Sequence, residues 1–216
     1  KTGYLKEDFR LFHINDRTDR EFEWHYHDFH KIIVFVSGKV TYHIEGKAYQ
    51  LKPQDILLVS QGAIHKPEID PSIPYERYIF WIRDDLSSPE LNTCFQKAND
   101  RSFNLIRLDS VLQEKLKDLL PEIEHSLRDT QFGDSILSKA LFAQFMVYIN
   151  RIFLKSSTAP DQKSYSSDSQ VEQLLKYINR NLSENLSIDH LAERFFFSKN
   201  HMMRKFKKET GYTIHN

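Results

Sequence analysis

The feature that most constrains the fold is a series of short β-branched and aromatic runs between residues 20 and 83. Turn signals separate these runs at Ser37-Gly38, Gly46-Lys47, Pro53 and Gly62. Many short strands at regular spacing are typical of a β-barrel or β-sandwich. We therefore expect a β-barrel domain over residues 1–108.

The period of the apolar residues changes after this region. Apolar side chains recur at helical spacing through 109–128 and again through 134–155, which predicts two amphipathic helices. Pro121 lies inside the first and is expected to kink or divide it. Their apolar stripes are long, so we expect that both helices close over the barrel or that one of them forms a homodimer interface.

Residues 156–169 are rich in Ser and Asp and lack apolar periodicity, which predicts an exposed linker. A small all-helical domain is expected over 170–216, with Ser187 and Ser198 as N-caps of its second and third helices. The predicted fold class is α+β: a β-barrel, then helices, then a helix-turn-helix unit.

Composition limits the function classes. The chain has 216 residues, enough for one medium and one small domain, and its 40% hydrophobic and 28% charged residues are typical of a globular protein. Its one cysteine, Cys94, excludes an internal disulfide and a cysteine-pair metal motif, which fits a cytoplasmic protein. Residues 170–216 carry five Lys and three Arg against four Glu and one Asp, a net charge of +3 that is balanced by −3 elsewhere. This mild basicity is compatible with DNA as a partner.

Membrane association is not expected. No apolar run approaches the roughly 18 to 20 residues that span a bilayer, and the first ten residues lack an apolar signal-peptide core.

The third helix of the small domain has two distinct faces. Met202 and Phe206 lie four residues apart and are expected to pack inward, which places Asn200, Met203 and Arg204 on the opposite face. Arg reads guanine, Asn reads adenine, and an apolar side chain contacts the thymine methyl. The candidate DNA-binding residues are Ser198, Lys199, Asn200, Met203, Arg204, Lys207 and Lys208. The alternative from spacing alone is a solvated charged face.

The same segment resembles the first helix-turn-helix of AraC-type transcription regulators. The residues that carry the resemblance are Leu186, Ile188, Leu191, Ala192, Ser198, Arg204, Phe206, Lys207 and Gly211. The resemblance implies that Asn200, Met203 and Arg204 face the bases. It also implies a second helix-turn-helix, so we expect that a chain stopping at Asn216 carries an incomplete DNA-binding domain.

The N-terminal region resembles a cupin. The resemblance is carried by His25-x-His27, Gly38, Pro53-x-Asp55 and His65. In metal-binding cupins, two histidines, an acidic residue and a later histidine hold one ion. Strand parity places position 31 with His25 and His27, but that residue is Lys31, and a protonated amine does not ligate a cation. We therefore predict no metal and no cofactor.

The barrel interior is expected to bind a small polar effector, such as a sugar or a carboxylated metabolite. The candidate ligand-binding residues are His25, His27, Lys31, His43, His65, Tyr78 and Phe80. The two aromatic residues, with Trp81, either stack on a sugar face or fill the core.

Together the two motifs predict a ligand-responsive, sequence-specific DNA-binding regulator that is not an enzyme. The alternative is a metal-dependent cupin enzyme, an oxygenase or isomerase, with a helical appendage. A third candidate is a protein-interaction module. No Ser-His-Asp order and no glycine-rich phosphate loop supports catalysis.

Overall fold

A computed structural model describes residues 5–17, 21–101, 103–128, 131–155, 165–167, 169–181, 184 and 186–214. Two antiparallel sheets are formed mainly by the N-terminal half of the chain, and helices follow, in agreement with the predicted α+β class. The first sheet has the strand order β1-β7-β2-β5-β8. Its strands are β1 (Phe9–Asp16), β2 (His30–Ser37), β5 (Ile56–Val59), β7 (Tyr75–Ile82) and β8 (Leu105–Ile106).

The second sheet has the order β6-β3-β4-β9. Its strands are β3 (Val40–Ile44), β4 (Lys47–Gln50), β6 (His65–Ile69) and β9 (Tyr165–Ser167). The hairpin between β3 and β4 turns at Glu45 and Gly46, whose φ angles are +47° and +80°. Positive φ at both central residues is the geometry of the tight turns that match strand twist, and glycine adopts it at little cost.

The side chains of β2 alternate between two apolar cores. Ile33 and Phe35 point between the two sheets, into a core that includes Tyr42 and Tyr49 of the second sheet. Ile32 and Val34 point to the other side, where the helices cover the first sheet. Both faces of β2 are therefore buried, which explains its unbroken apolar sequence.

Helices α1 (Thr93–Arg101), α2 (Ser110–Arg128) and α3 (Asp134–Lys155) follow, after a short 3₁₀ helix at Pro89–Asn92. The long helices α2 and α3 lie where the period change predicts them, whereas α1 falls inside 1–108, which was expected to be barrel.

Pro121 does not divide α2, which is continuous around it, so of the two expected effects the division is wrong. The buried side chains Leu119, Leu120 and Ile123 beside the exposed proline offset the hydrogen bond that proline cannot donate.

The expectation from the sequence that no segment is apolar enough to span a membrane is wrong for α3. By length and composition alone it qualifies. In this structure it serves as a core helix: Phe142 stacks on Phe9 at 4.0 Å between ring centroids, and Phe145 stacks on Phe80 at 4.4 Å.

The C-terminal helices are α4 (Ser169–Arg180), α5 (Ile188–Arg194) and α6 (Lys199–Thr210). Leu174, Leu191, Met202 and Phe206 form their core. The predicted caps are confirmed: the hydroxyl of Ser187 accepts from the His190 amide, and that of Ser198 from the His201 amide.

The predicted linker at 156–169 lies mostly outside the described residues. Within it, however, residues 165–167 form strand β9, which pairs with β4. This part is therefore not a free linker, because its backbone completes the edge of the second sheet.

Candidate functional site

Three histidines meet inside the barrel. The segment before β2 pairs with the start of β6 through an isolated bridge, in which the amides of His25 and His65 each donate to the other's carbonyl, at 3.1 and 2.9 Å. His27 lies beside them, with its ring centroid 5.2 Å from that of His65. One ring nitrogen from each of the three lies within 4.8 Å of the others.

The amino group of Lys31 lies among these rings. Its Nζ is 3.0 Å from Nε2 of His27 and 3.2 Å from Nε2 of His65. Lys31 is buried, and burial lowers its pKa to about 7, because a charged amine is poorly solvated there.

Backbone carbonyls orient two of the histidines. Nδ1 of His65 lies 2.8 Å from the Ala63 carbonyl oxygen, and Nδ1 of His25 lies 2.8 Å from that of Glu23. A carbonyl only accepts, so each Nδ1 carries the proton and each Nε2 presents a lone pair. Burial lowers the pKa of both histidines, and the nearby charge of Lys31 adds to the effect, so both are held neutral.

The donor set does not fit a metal ion while Lys31 keeps this position. An imidazole binds zinc at about 2.0–2.1 Å. An ion at that distance from Nε2 of His27 and His65 would fall between them and the Lys31 amino group, which lies only 3.0 and 3.2 Å away. An ammonium in that place repels a divalent cation.

The structure does not bring all the predicted ligand-binding residues to this cluster. His43 lies on the outer face of β3, with Nε2 3.1 Å from Glu68 Oε2 and its ring against Trp24. Tyr78 and Phe80 belong to the core beneath the helices, not to the core between the sheets. The predicted placement of these three residues in the ligand site is therefore wrong. Successive side chains of a strand point to opposite faces, and on β3 and β7 the side chains that point between the sheets are those of the adjacent residues.

The aromatic neighbours of the cluster are Trp81, Phe29 and Tyr42. Trp81 lies directly opposite Lys31 in the pairing of β7 with β2, and its ring is 4.7 Å from that of Phe29, which stacks on His27. Tyr42 stacks on His65 at 6.0 Å. Trp81 could have been identified only from the pairing register of β2 with β7, which places it opposite Lys31 on the same face of the sheet. That register cannot be obtained from the local sequence.

The candidate DNA-binding residues share the exposed side of α6. Ser198, Lys199, Asn200, Arg204, Lys207 and Lys208 are exposed, and Met203 is half-buried. Met202, Phe206 and Thr210 bury the opposite side. Arg204 Nε lies 3.4 Å from the Asn200 carbonyl oxygen, so the guanidinium and the Asn200 side chain project from adjacent turns.

Lys199 is the exception among these cations, because it forms an ion pair with Asp189 of α5. Lys205, on the flank of α6, donates to Gln170 of α4 at 2.9 Å. The amino groups of Lys207 and Lys208 are therefore more accessible to a partner molecule than those of Lys199 and Lys205.

The end of α6 docks against the N-terminal domain. Gly211 has a φ of +76°, and a Cβ there would lie 2.2 Å from Cδ1 of Trp24. The Tyr212 hydroxyl donates to the Trp24 carbonyl at 3.1 Å, and the ring of Tyr26 lies 6.0 Å from that of Tyr212. The side chains of Trp24 and Tyr26 thus contact the helix-turn-helix unit. Those of His25 and His27, which alternate with them along the chain, point into the histidine cluster.

A second contact joins α4 to the β3–β4 hairpin. Nζ of the buried Lys47 lies 3.2 Å from Glu172 Oε1, and Gly46 faces Val171. The helix-turn-helix unit is therefore held to the N-terminal domain at two places, and none of the described residues covers the exposed side of α6.

Two protein families match the chain. Residues 10–146 match the family described as "AraC-like ligand binding domain", and residues 178–216 match "Bacterial regulatory helix-turn-helix proteins, AraC family".

Curated relatives match over most of the chain. The activator RhaR of Mannheimia succiniciproducens is 22% identical over 194 residues, which cover 89% of this chain and 67% of the relative. The uncharacterized regulator YfiF of Bacillus subtilis is 25% identical over 190 residues, covering 87% of this chain and 60% of the relative. The chain thus spans about 60–67% of the length of these two relatives.

Solved structures show weaker likeness. A ToxT variant from Vibrio cholerae is 10% identical with a TM-score of 0.48, covering 97% of this chain and 78% of that chain. The AraC-like transcriptional activator CuxR is 15% identical with a TM-score of 0.43, covering 84% and 61%. The two family matches together cover most of the chain, and the protein therefore belongs to the AraC family of helix-turn-helix regulators, with an AraC-like ligand-binding domain at its N-terminal end.

Proposed function

We propose that the chain is a cytoplasmic, ligand-responsive transcription regulator that senses a small polar metabolite, a sugar or similar, in the barrel and reads DNA with α6. Its family, with a ligand-binding domain and a DNA-binding domain in one chain, supports this function and gives no support to the metal-dependent enzyme.

The effector site is proposed at His25, His27, Lys31 and His65. When Lys31 is protonated its Nζ carries three hydrogens, and two of them have His27 and His65 as acceptors. The third has no acceptor among the described residues, so it is available to an oxygen of the effector. The rings of Trp81 and Phe29 beside His27 offer an apolar surface for the rest of the molecule.

DNA reading is proposed for the exposed side of α6. Asn200, Met203 and Arg204 would meet base edges in the major groove, while Lys207 and Lys208 contact phosphates. Ser198 and Lys199, at the N-terminal end of the helix, would approach the backbone, and the ion pair of Lys199 with Asp189 must open for this contact.

The observation that carries the proposal is the segment Trp24–His27. Its side chains alternate between the histidine cluster and the helix-turn-helix unit, so a backbone shift on one side moves groups on the other. An effector that changes the positions of His25 and His27 would therefore favour one arrangement of the DNA-binding unit over another, which is the requirement for allosteric control.

This coupling is tested with Trp24→Ala. Duplexes selected from a random pool serve as DNA, and a panel of neutral sugars and organic acids is screened for compounds that raise the melting temperature. We expect such a compound to change DNA affinity, measured by fluorescence anisotropy, in the unmodified chain. In Trp24→Ala the rise in melting temperature should persist while the change in DNA affinity is lost.

Tyr148→Ala, which alters an aromatic residue of α3, is the matched control and should behave as the unmodified chain. The coupling proposal is wrong if the compound changes DNA affinity equally in Trp24→Ala. The function itself is wrong if the chain selects no duplex and no stabilising compound alters its binding.

We also propose a homodimer that uses the end of α2 and the start of α3. Leu127, Phe132, Ile136 and Leu137 are exposed there. A cluster of large apolar side chains at one surface is typical of an interface, and twofold pairing is the commonest assembly. Ile136→Glu should convert a dimer to a monomer in light scattering, and an unmodified chain that is already monomeric at high concentration would contradict the proposal.

A further inference from the structure

The three imidazoles of the histidine cluster require a cation or a hydrogen-bond donor between them. Nε2 of His25 and of His65 are unprotonated because each Nδ1 donates to a carbonyl, and Nε2 of His65 and of His27 point at one place. A backbone carbonyl that orients the far ring nitrogen is also the support that metal-bound histidines have. Lone pairs that converge away from water are unfavourable unless a cation or a donor lies between them.

The amino group of Lys31 supplies that donor, and carries a positive charge when it is protonated. We propose that the amino group of Lys31 is a covalently tethered substitute for a metal ion: it completes the three-histidine site, and this one residue makes the sensor domain independent of metal. The tether is strand β2, where Lys31 pairs with Val59 on one side and Trp81 on the other, so both neighbouring strands hold its backbone.

The surroundings of Lys31 agree with this role. Among the described residues, no carboxylate lies within ion-pair distance of its Nζ, and the polar atoms near it are imidazole nitrogens. A lysine buried for an ion pair would have an acidic partner. This lysine instead has the neutral nitrogen ligands that zinc, nickel and cobalt prefer.

The proposal predicts that replacing Lys31 alone exposes a metal site. Glutamate is shorter than lysine, so Lys31→Glu removes the ammonium, leaves space near the three imidazoles and adds a carboxylate on the same inward side of β2. Three histidines and one carboxylate form a common donor set for divalent transition metals. Lys31→Met is the second variant, which removes the charge without adding a ligand and conserves an unbranched, apolar stem.

The test measures binding of Zn²⁺ and Co²⁺ to the whole chain. We expect no stoichiometric binding by the unmodified protein. Lys31→Glu should bind about one ion per chain, give the visible absorption of nitrogen-coordinated Co²⁺, and melt about 5–10 °C higher with metal at a hundredfold excess over Kd. Lys31→Met should bind more weakly with the same Co²⁺ signature.

Two controls isolate the site. Lys52→Glu makes the same charge change at an exposed position next to β4 and should not create binding. Adding His65→Ala to Lys31→Glu should abolish the acquired binding. The proposal is overturned if the unmodified chain binds one equivalent of metal that His65→Ala removes, or if both Lys31 variants fold, as judged by circular dichroism, and bind none. Neither result bears on DNA binding, which is measured separately.

Discussion

The histidine cluster and the exposed side of α6 differ in how much of the fold each needs. The cluster depends on contacts between residues far apart in sequence, such as Lys31 with His65, and its side chains are nearly all buried. The α6 surface depends on one helix, and its candidate residues make few contacts outside it. A change in the cluster should therefore alter stability first, whereas a change on α6 should alter recognition and leave stability nearly unchanged.

The largest expected effect comes from breaking the cluster. His65→Ala removes a fully buried ring and leaves the Ala63 carbonyl and one hydrogen of Lys31 without a partner. Buried polar groups left unpaired together with a lost buried ring should lower the free energy of unfolding by about 2–4 kcal/mol. Urea denaturation followed by circular dichroism measures it. A loss below 0.5 kcal/mol would show that the cluster is not a structural unit.

Arg204→Ala is the matching change on α6. It should leave the free energy of unfolding within about 0.5 kcal/mol, because the side chain is exposed. It should cost about 1–3 kcal/mol of binding to a selected duplex, because a bidentate contact to a base edge is lost. Fluorescence anisotropy measures the affinity, and Lys97→Ala, exposed on α1, serves as control. An unchanged preference for the selected sequence would contradict base reading by Arg204.

Gly211→Ala tests the junction between the two regions. The added Cβ would overlap Trp24, and the residue would keep a left-handed φ of +76°. The left-handed conformation alone costs about 1–2 kcal/mol for a residue with a Cβ. In a double-mutant cycle, Trp24→Ala should relieve the steric part of the destabilisation and leave the conformational part. Strictly additive losses would show that the two residues do not meet in solution.

A smaller effect is expected from acid. Burial lowers the pKa of His65 well below the ordinary value of 6.5, so below pH 6.5 the unfolded chain binds a proton at this residue that the folded chain does not. Stability should therefore fall as the pH falls below 6.5, by about 1.4 kcal/mol per pH unit for this residue until its folded pKa is reached.

His25 and His30 shift in the same direction and should steepen the decline, although the Asp84 carboxylate opposes the shift at His30. Urea midpoints at pH 7.0, 6.0 and 5.5 would measure the dependence, and His201→Gln, at an exposed histidine, should leave it unchanged. A flat profile would show that the cluster is open to water.

Sequence reasoning predicted the helix-turn-helix unit more completely than the barrel site. The caps Ser187 and Ser198 and the opposed faces of α6 follow from spacing within a few residues, which a helix preserves. In the barrel, parity placed His25, His27 and Lys31 together correctly, because one continuous segment carries them. The prediction was wrong for His43, Tyr78 and Phe80, because each lies on another strand whose inward parity depends on a register that local sequence does not specify.

By itself the sequence determined the α+β class, the two family resemblances, the opposed polar and apolar sides of α6 and the presence of a lysine where an acidic metal ligand is expected. Only the tertiary structure decided that Lys31 lies between His27 and His65, that Trp81 lies beside the histidine cluster and that Trp24 packs on Gly211. The reason is physical: periodicity and capping act over a few residues, whereas these contacts join strands and domains that only the packing of the whole chain brings together.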